Sequence, residues 1–148
     1  MERAPNPNES TERIEAREAL LAARTEMLEE AGGYFTGEEI GAALGSQSDS
    51  FSQRITDARQ RDEVLGAAYR GRWRYPRFQF IDSDDFRPYP EMQPILQALK
   101  PDHKGWDRLH GFLTGHPLLD GRTPLKVWRE DRRKVVAAAR AEQWDRRD

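Results

Sequence analysis

Residues 112–128, FLTGHPLLDGRTPLKVW, constrain the fold of this chain more tightly than any other stretch. His116-Pro117 and Asp120-Gly121 read as tight turns. Thr123-Pro124 reads as a helix start: Thr123 can cap free N–H groups, and Pro124 occupies the first helical position, where a missing N–H costs nothing. Gly121 is expected at positive φ. Leu118, Leu119 and Leu125 sit among these turns and need something to pack against. After Asp131 comes a last helix whose apolar part, Val135 to Ala141, is rich in Val and Ala.

The helices leading into this segment are short. Glu91 to Leu99 puts Met92, Ile95, Leu96 and Leu99 on one side, Pro101 to Gly105 breaks it, and a second helix aligns Trp106, Leu109 and Leu113. Residues 91–148 are therefore expected to form a small helical domain. Residues 82–90, with Asp82, Asp84, Asp85 and Pro88, read as a linker. These aspartates lack the glycine and distal Glu of a calcium loop, so no metal is assigned to them.

The other half reads differently. Residues 1–10 hold Pro5, Pro7 and two Asn, and read as a disordered arm. A helix is expected from about Thr11 to Ala31, ended by Gly32-Gly33. Ile14, Leu21 and Leu28, flanked by Leu20 and Met27, give it one apolar stripe, which either packs on its own domain or pairs two copies. Thr36 and Glu39 form a capping box, with Phe35 and Ile40 as a hydrophobic staple around it. Gly45 ends that helix, and after Ser46-Gln47-Ser48 a third runs from about Asp49 to Arg61, burying Phe51, Ile55 and Ala58.

Two short helices joined by a Gly-containing turn suggest a helix-turn-helix. Ser50, Gln53 and Thr56 then lie on the outer side of the second helix, where amides and hydroxyls can read base edges. A bare two-helix packing corner is the other reading, because the turn is long and Ile55 sits one place beyond the expected core position. Val64 to Tyr69 is strand-like, Arg70-Gly71 marks a turn, and Arg72 to Phe80 returns with Trp73 and Tyr75 alternating with Arg72 and Arg74. Pro76 implies an edge strand or a bulge. A hairpin directly after a helix-turn-helix is the arrangement of a winged helix, in which Arg70, Arg72 and Arg74 would contact phosphate. A two-stranded cover with ordinary surface arginines is the alternative. The expected fold is mainly α: residues 11–81 a winged or plain helix-turn-helix with its hairpin, residues 91–148 the small helical domain.

Catalytic chemistry is not expected. His103, His110 and His116 show no metal-binding spacing, Ser46, Ser48, Ser50 and Ser52 lack a nucleophile context, and no glycine-rich phosphate loop occurs. The absence of Cys removes disulfides, thiolate catalysis and Cys-ligated zinc. Neither a cofactor nor a metal is assigned. A formal net charge of −2 means that any nucleic-acid contact must come from a local basic patch. No apolar run is long enough to span a bilayer and no basic-then-apolar leader opens the sequence, so the expectation is a cytoplasmic protein without membrane contact.

Pro117, Leu119, Gly121, Arg122, Pro124 and Leu125, with the flanking helices, resemble the core motif of the Xre/MbcA/ParS-type antitoxin toxin-binding domain. The resemblance covers roughly the last third of the chain. It implies the antitoxin of a bacterial type II toxin–antitoxin pair, whose partner is a toxin of the NAD-consuming RES kind. Such antitoxins block the toxin's cleft with the last helix and tail, commonly dimerise, and repress their own operon by binding operator DNA. The toxin-binding residues so implied are Arg122, Trp128, Arg140, Trp144, Arg146 and Arg147. The long leading helix and the Arg/aromatic hairpin depart from more typical relatives. A stand-alone DNA-binding transcriptional regulator, or an immunity-like protein binder without DNA binding, would also suit the sequence.

Overall fold

The computed structural model describes residues 10–43, 50–81 and 86–142. It is mainly helical, with one small antiparallel sheet. The first helix, α1 (Thr11–Glu30), begins where the Ser10 hydroxyl accepts the Arg13 N–H at 3.1 Å. It ends as expected, with Gly32 and Gly33 both near φ +90° and the Gly33 N–H returned to the Leu28 carbonyl at 2.9 Å. The apolar stripe of α1 is covered at one end only. Leu28 is buried, Ile14 and Leu21 are half-buried, and Leu20 is 50% exposed.

Next come β1 (Tyr34–Thr36), α2 (Gly37–Ala43), α3 (Ser50–Gln60), β2 (Ala67–Tyr69) and β3 (Arg72–Pro76). The capping box closes as expected: the Thr36 N–H donates to Glu39 Oε1 and the Glu39 N–H to Thr36 Oγ1, each at 3.1 Å. Arg70 (φ 51°) and Gly71 (φ 75°) make the tight turn between β2 and β3, both central residues lying in the left-handed region that two-residue hairpins favour. The loop holding Leu44, Gly45 and Ser46 to Ser48 lies outside the described residues.

The sheet order is β1–β3–β2, which corrects the expectation for Pro76. β3 is the central strand, neither an edge nor bulged in its register with β1 and β2. Pro76 is tolerated because it is the last residue of β3, opposite Tyr34, and the next bond to β1 runs from the Arg77 N–H to the Gly33 carbonyl at 3.1 Å. The returning strand is also shorter than expected. Beyond Pro76 the chain turns through a 3-10 segment, Arg77–Gln79.

Alternation along β3 assigns its side chains to two cores. Tyr75, with Trp73 and Phe35 beside it, packs with Ile40, Ile55, Val64, Phe80 and Phe86 under α2 and α3. On the opposite face Ala67, Tyr34 and Tyr69 join a larger core with Leu28 of α1 and Trp106. Both faces of this thin sheet are therefore covered.

The larger core continues through α4 (Met92–Ala98), α5 (Trp106–Phe112), α6 (Pro124–Glu130) and α7 (Arg132–Glu142). Met92, Ile95, Leu96 and Leu99 are all buried, as their spacing predicts. Because Leu28 and Ala31 join Trp128 and Val135 in it, this core draws on both sides of residues 82–90. Two tryptophans tie the C-terminal helices to the sheet region. Trp106 Nε1 donates to the Ala68 carbonyl at 2.8 Å, and Trp128 Nε1 to the Phe78 carbonyl at 3.1 Å. Arg108, only 7% exposed, is satisfied by Asp62 Oδ1 and the carbonyls of Leu96 and Lys100. The segment read as a linker also contributes: Phe86 is buried edge-on to Phe35 and Phe80, the Ile81 N–H donates to the Arg87 carbonyl, and the Tyr89 N–H donates to the Gln79 carbonyl. Residues 82–85 lie outside the described set.

Candidate nucleic-acid and partner surfaces

α3 is stitched to α2 by Ile40 and Ile55, which turns its other side outward. Gln53 is exposed there, and its amide donates to Asp57 Oδ1 at 2.8 Å. A base edge would have to draw Gln53 away from Asp57. Thr56 is half-buried, and Ser50 opens the helix with its side chain outside the described set. Arg54, absent from the sequence-based candidates, is exposed beside Gln53. An outward arginine on a candidate recognition helix was a signal available in the sequence.

The three hairpin arginines separate. Arg70 is exposed at the tip, its guanidinium 5.5 Å from the Tyr69 ring centre. Arg72 is exposed and pairs with Glu38 Oε1 at 3.1 Å, next to the start of α2. Arg74 is instead drawn inside. Its guanidinium lies 5.4 Å from the Tyr34 ring centre, with Nε and Nη1 buried and without hydrogen-bond partners. α1 also reaches this face of the sheet, through Leu28 and through Thr25, whose hydroxyl meets the Tyr69 hydroxyl at 2.8 Å. The face expected to be basic and open is thus open only at its tip. Behind it, Arg59 stacks 3.7 Å from the Trp73 ring centre. Burial pushes the Tyr75 phenol above its ordinary pKa, while its hydrogen bond to Arg59 pulls it down.

The second surface is built on the turn segment. The His116 carbonyl accepts from Leu119 and Gly121, and its N–H donates to the Arg122 carbonyl at 3.0 Å. Nδ1 of His116 accepts the Leu118 N–H at 3.1 Å, capping a 3-10 turn over Pro117–Leu119. Asp120 (φ 57°) and Gly121 (φ 79°) follow in the left-handed region. Thr123 Oγ1 then accepts the Lys126 N–H at 3.2 Å, and α6 opens on Pro124 as expected. Leu119 and Leu125 are buried, but Leu118 is 49% exposed. His116 is only 5% exposed, so this turn histidine is a structural group of the interior.

Between this turn and α7 lies a groove of about 490 Å³, with Leu118, Ala137 and Ala141 among its apolar lining and Arg122, Glu130 and Lys134 among its charged groups. Arg122 Nη2 donates to Glu130 Oε1 at 2.6 Å, and this hydrogen bond holds the Glu130 carboxyl below the ordinary carboxylate range. Arg140 is exposed on α7. Trp128 is only 2% exposed and is surrounded by Phe78, Tyr89 and Phe112, so it presents almost no surface to a partner. Trp144, Arg146 and Arg147 lie outside the described residues. Among the described residues, no group of His, Cys, Asp or Glu is arranged to hold a metal ion, and no helix is long and apolar enough to cross a membrane. Comparison with known protein families, curated proteins and solved structures finds no match.

Proposed function

We propose that this protein is the antitoxin of a toxin–antitoxin pair, neutralising a RES-type toxin through its C-terminal end and repressing its own operon through residues 11–81. The observation that carries the reading is the turn segment. Pro117, Leu119, Gly121, Arg122, Pro124 and Leu125, the residues of the resemblance, form one hydrogen-bonded unit that opens α6 and borders the groove along α7. An apolar groove with a charged rim suits a protein partner. Arg140 is exposed on α7, and Trp144, Arg146 and Arg147, which follow it in the sequence, are the other tail residues assigned to the toxin.

The DNA-binding half of the reading rests on chain order. Helix, strand, helix, helix, strand and strand, with the first strand beside the last, is the order of a winged helix. In it α3 is the recognition helix, carrying Ser50, Gln53 and Thr56, and the hairpin tip is the wing, with Arg70 and Arg72 as its phosphate contacts. Two features favour the binder that does not touch DNA: α1 packs toward α5, and Arg74 serves the interior. The test is a pull-down of the full chain with the product of the neighbouring gene, followed by a gel shift on its own promoter. A stable complex with salt-sensitive DNA binding supports the antitoxin. A complex with no DNA binding leaves an immunity-like binder, and DNA binding with no complex leaves a stand-alone regulator.

A further inference from the structure

A cavity of about 330 Å³ opens between the end of α1, the 3-10 segment after β3, and the junction of α6 and α7. Three arginines from three elements line it: Arg77, Arg129 and Arg132. Phe78, Tyr89 and Trp128 complete much of its wall. Arg77 and Arg129 are exposed and Arg132 is half-buried, and like charges gathered in one cleft raise its attraction for an anion. Glu91 supplies one charge, accepting from Arg132 Nε at 3.0 Å. The carbonyl end of α1, which forms part of the wall, offsets about half a charge more. Among the described residues the side chains of Arg77 and Arg129 have no hydrogen-bond or ion-pair partner, and the exposed Glu29 and Glu30 of α1 make no ion pair with them. Two of the three guanidinium groups are therefore open to an anion.

Two of the guanidinium groups are held in place by aromatic rings. Arg77 lies 4.2 Å from the Phe35 ring centre, and Arg132 lies 4.0 Å from that of Tyr89. The Gly32-Gly33 pair keeps the entrance clear. A Cβ on Gly33 would sit 3.2 Å from Arg77 Nε, and one on Gly32 would sit 3.6 Å from Arg129 Nη2. Forked, planar donors fixed around a small cavity match the tetrahedral oxygens of phosphate better than they match a halide. Arg77 follows the last residue of β3, at the opposite end of that strand from the Arg70-Gly71 tip, so the cleft is separate from the proposed DNA-contacting edge.

We propose that this cleft is a binding site for a small phosphate-bearing molecule, with Arg77, Arg129 and Arg132 as its ligands. The test is calorimetric titration of the full chain with inorganic pyrophosphate. Saturable one-to-one binding is expected, and Arg77→Gln and Arg129→Gln should each weaken it by about tenfold, the loss of one charge-assisted contact. Melting curves of both variants establish that they are folded, and either one alone suffices. Arg133→Gln, on exposed α7 surface outside the cavity, should change affinity by less than about twofold. Absence of saturable binding overturns the proposal. So does equal weakening by Arg133→Gln, which would mark diffuse surface attraction. Preferential binding of a hexaglutamate peptide over pyrophosphate would overturn it as well, making the cleft a dock for an acidic protein segment.

Discussion

Gln79 completes the hydrogen bonding of Leu65 from fourteen residues away. Its Oε1 accepts the Leu65 N–H at 2.7 Å, and its Nε2 donates to the Leu65 carbonyl at 2.8 Å and to the Pro76 carbonyl at 3.1 Å. The side chain is fully buried and stands in for a strand neighbour just before β2 begins. Gln79→Leu should therefore cost about 3 kcal/mol, because it leaves buried backbone groups unpaired. Urea unfolding of the variant measures this, and an unchanged midpoint would show that water satisfies those groups.

The turn segment should respond residue by residue. Thr123→Ala removes the cap on Lys126 and should cost about 1 kcal/mol. Gly121→Val forces a β-branched residue to φ 79° and should cost about 2 kcal/mol in strain, although a Cβ there meets nothing within 4 Å. Gly115→Ala brings a Cβ to 2.4 Å from the Gly121 carbonyl oxygen, so the turn itself must move. Thermal melts should rank Thr123→Ala as the mildest of the three. If Gly121→Val melts with the parent, the positive φ is not required.

Trp128 and the tail should fail in different ways. Trp128→Ala empties a core position and should cost about 3–5 kcal/mol of stability. Trp144→Ala should leave melting unchanged and weaken only the complex with the toxin. Paired measurement of melting and toxin affinity separates them. Loss of stability in Trp144→Ala would place that residue in the core instead.

These contrasts follow what local sequence can carry. The caps at Thr36–Glu39 and Thr123–Pro124, the glycine stop at Gly32-Gly33, and the stripe Met92, Ile95, Leu96 and Leu99 were legible because each is decided within a few residues. β1 was not, since three residues hold no period and its pairing with β3 spans about forty positions. Gln79 was equally hidden, being a polar residue whose partners are fixed by the fold. For the candidate site, the alternation of Arg72 and Arg74 with Trp73 and Tyr75 was visible, but the packing of Arg74 against Tyr34 of β1 was not. Trp128 entered the toxin-binding set only through the family resemblance, and a large amphipathic ring suits both a surface and a core. Only its neighbours from other elements decide between them.

On DNA, the tip and the helix should separate. The double variant Arg70→Gln/Arg72→Gln should weaken binding to every duplex and lower the salt slope by about two units, one per phosphate contact. Gln53→Ala should reduce the preference for operator over random duplex. Arg74→Gln should lower the melting temperature instead, because its guanidinium packs on Tyr34. Gel shifts across a salt series read the first two, and a thermal melt reads the third. A parent protein that binds no duplex in a salt-sensitive way would make the helix pair only a packing corner.

The central claim is neutralisation, and growth rescue measures it most directly. Cells arrested by the neighbouring gene product should recover when the full chain is co-expressed. They should not recover with a folded truncation lacking residues 141–148, which removes Trp144, Arg146 and Arg147 while leaving the buried Val135, Ala138 and Ala139 in place. Continued growth arrest with the full chain present, and no complex between the two proteins, would contradict the account.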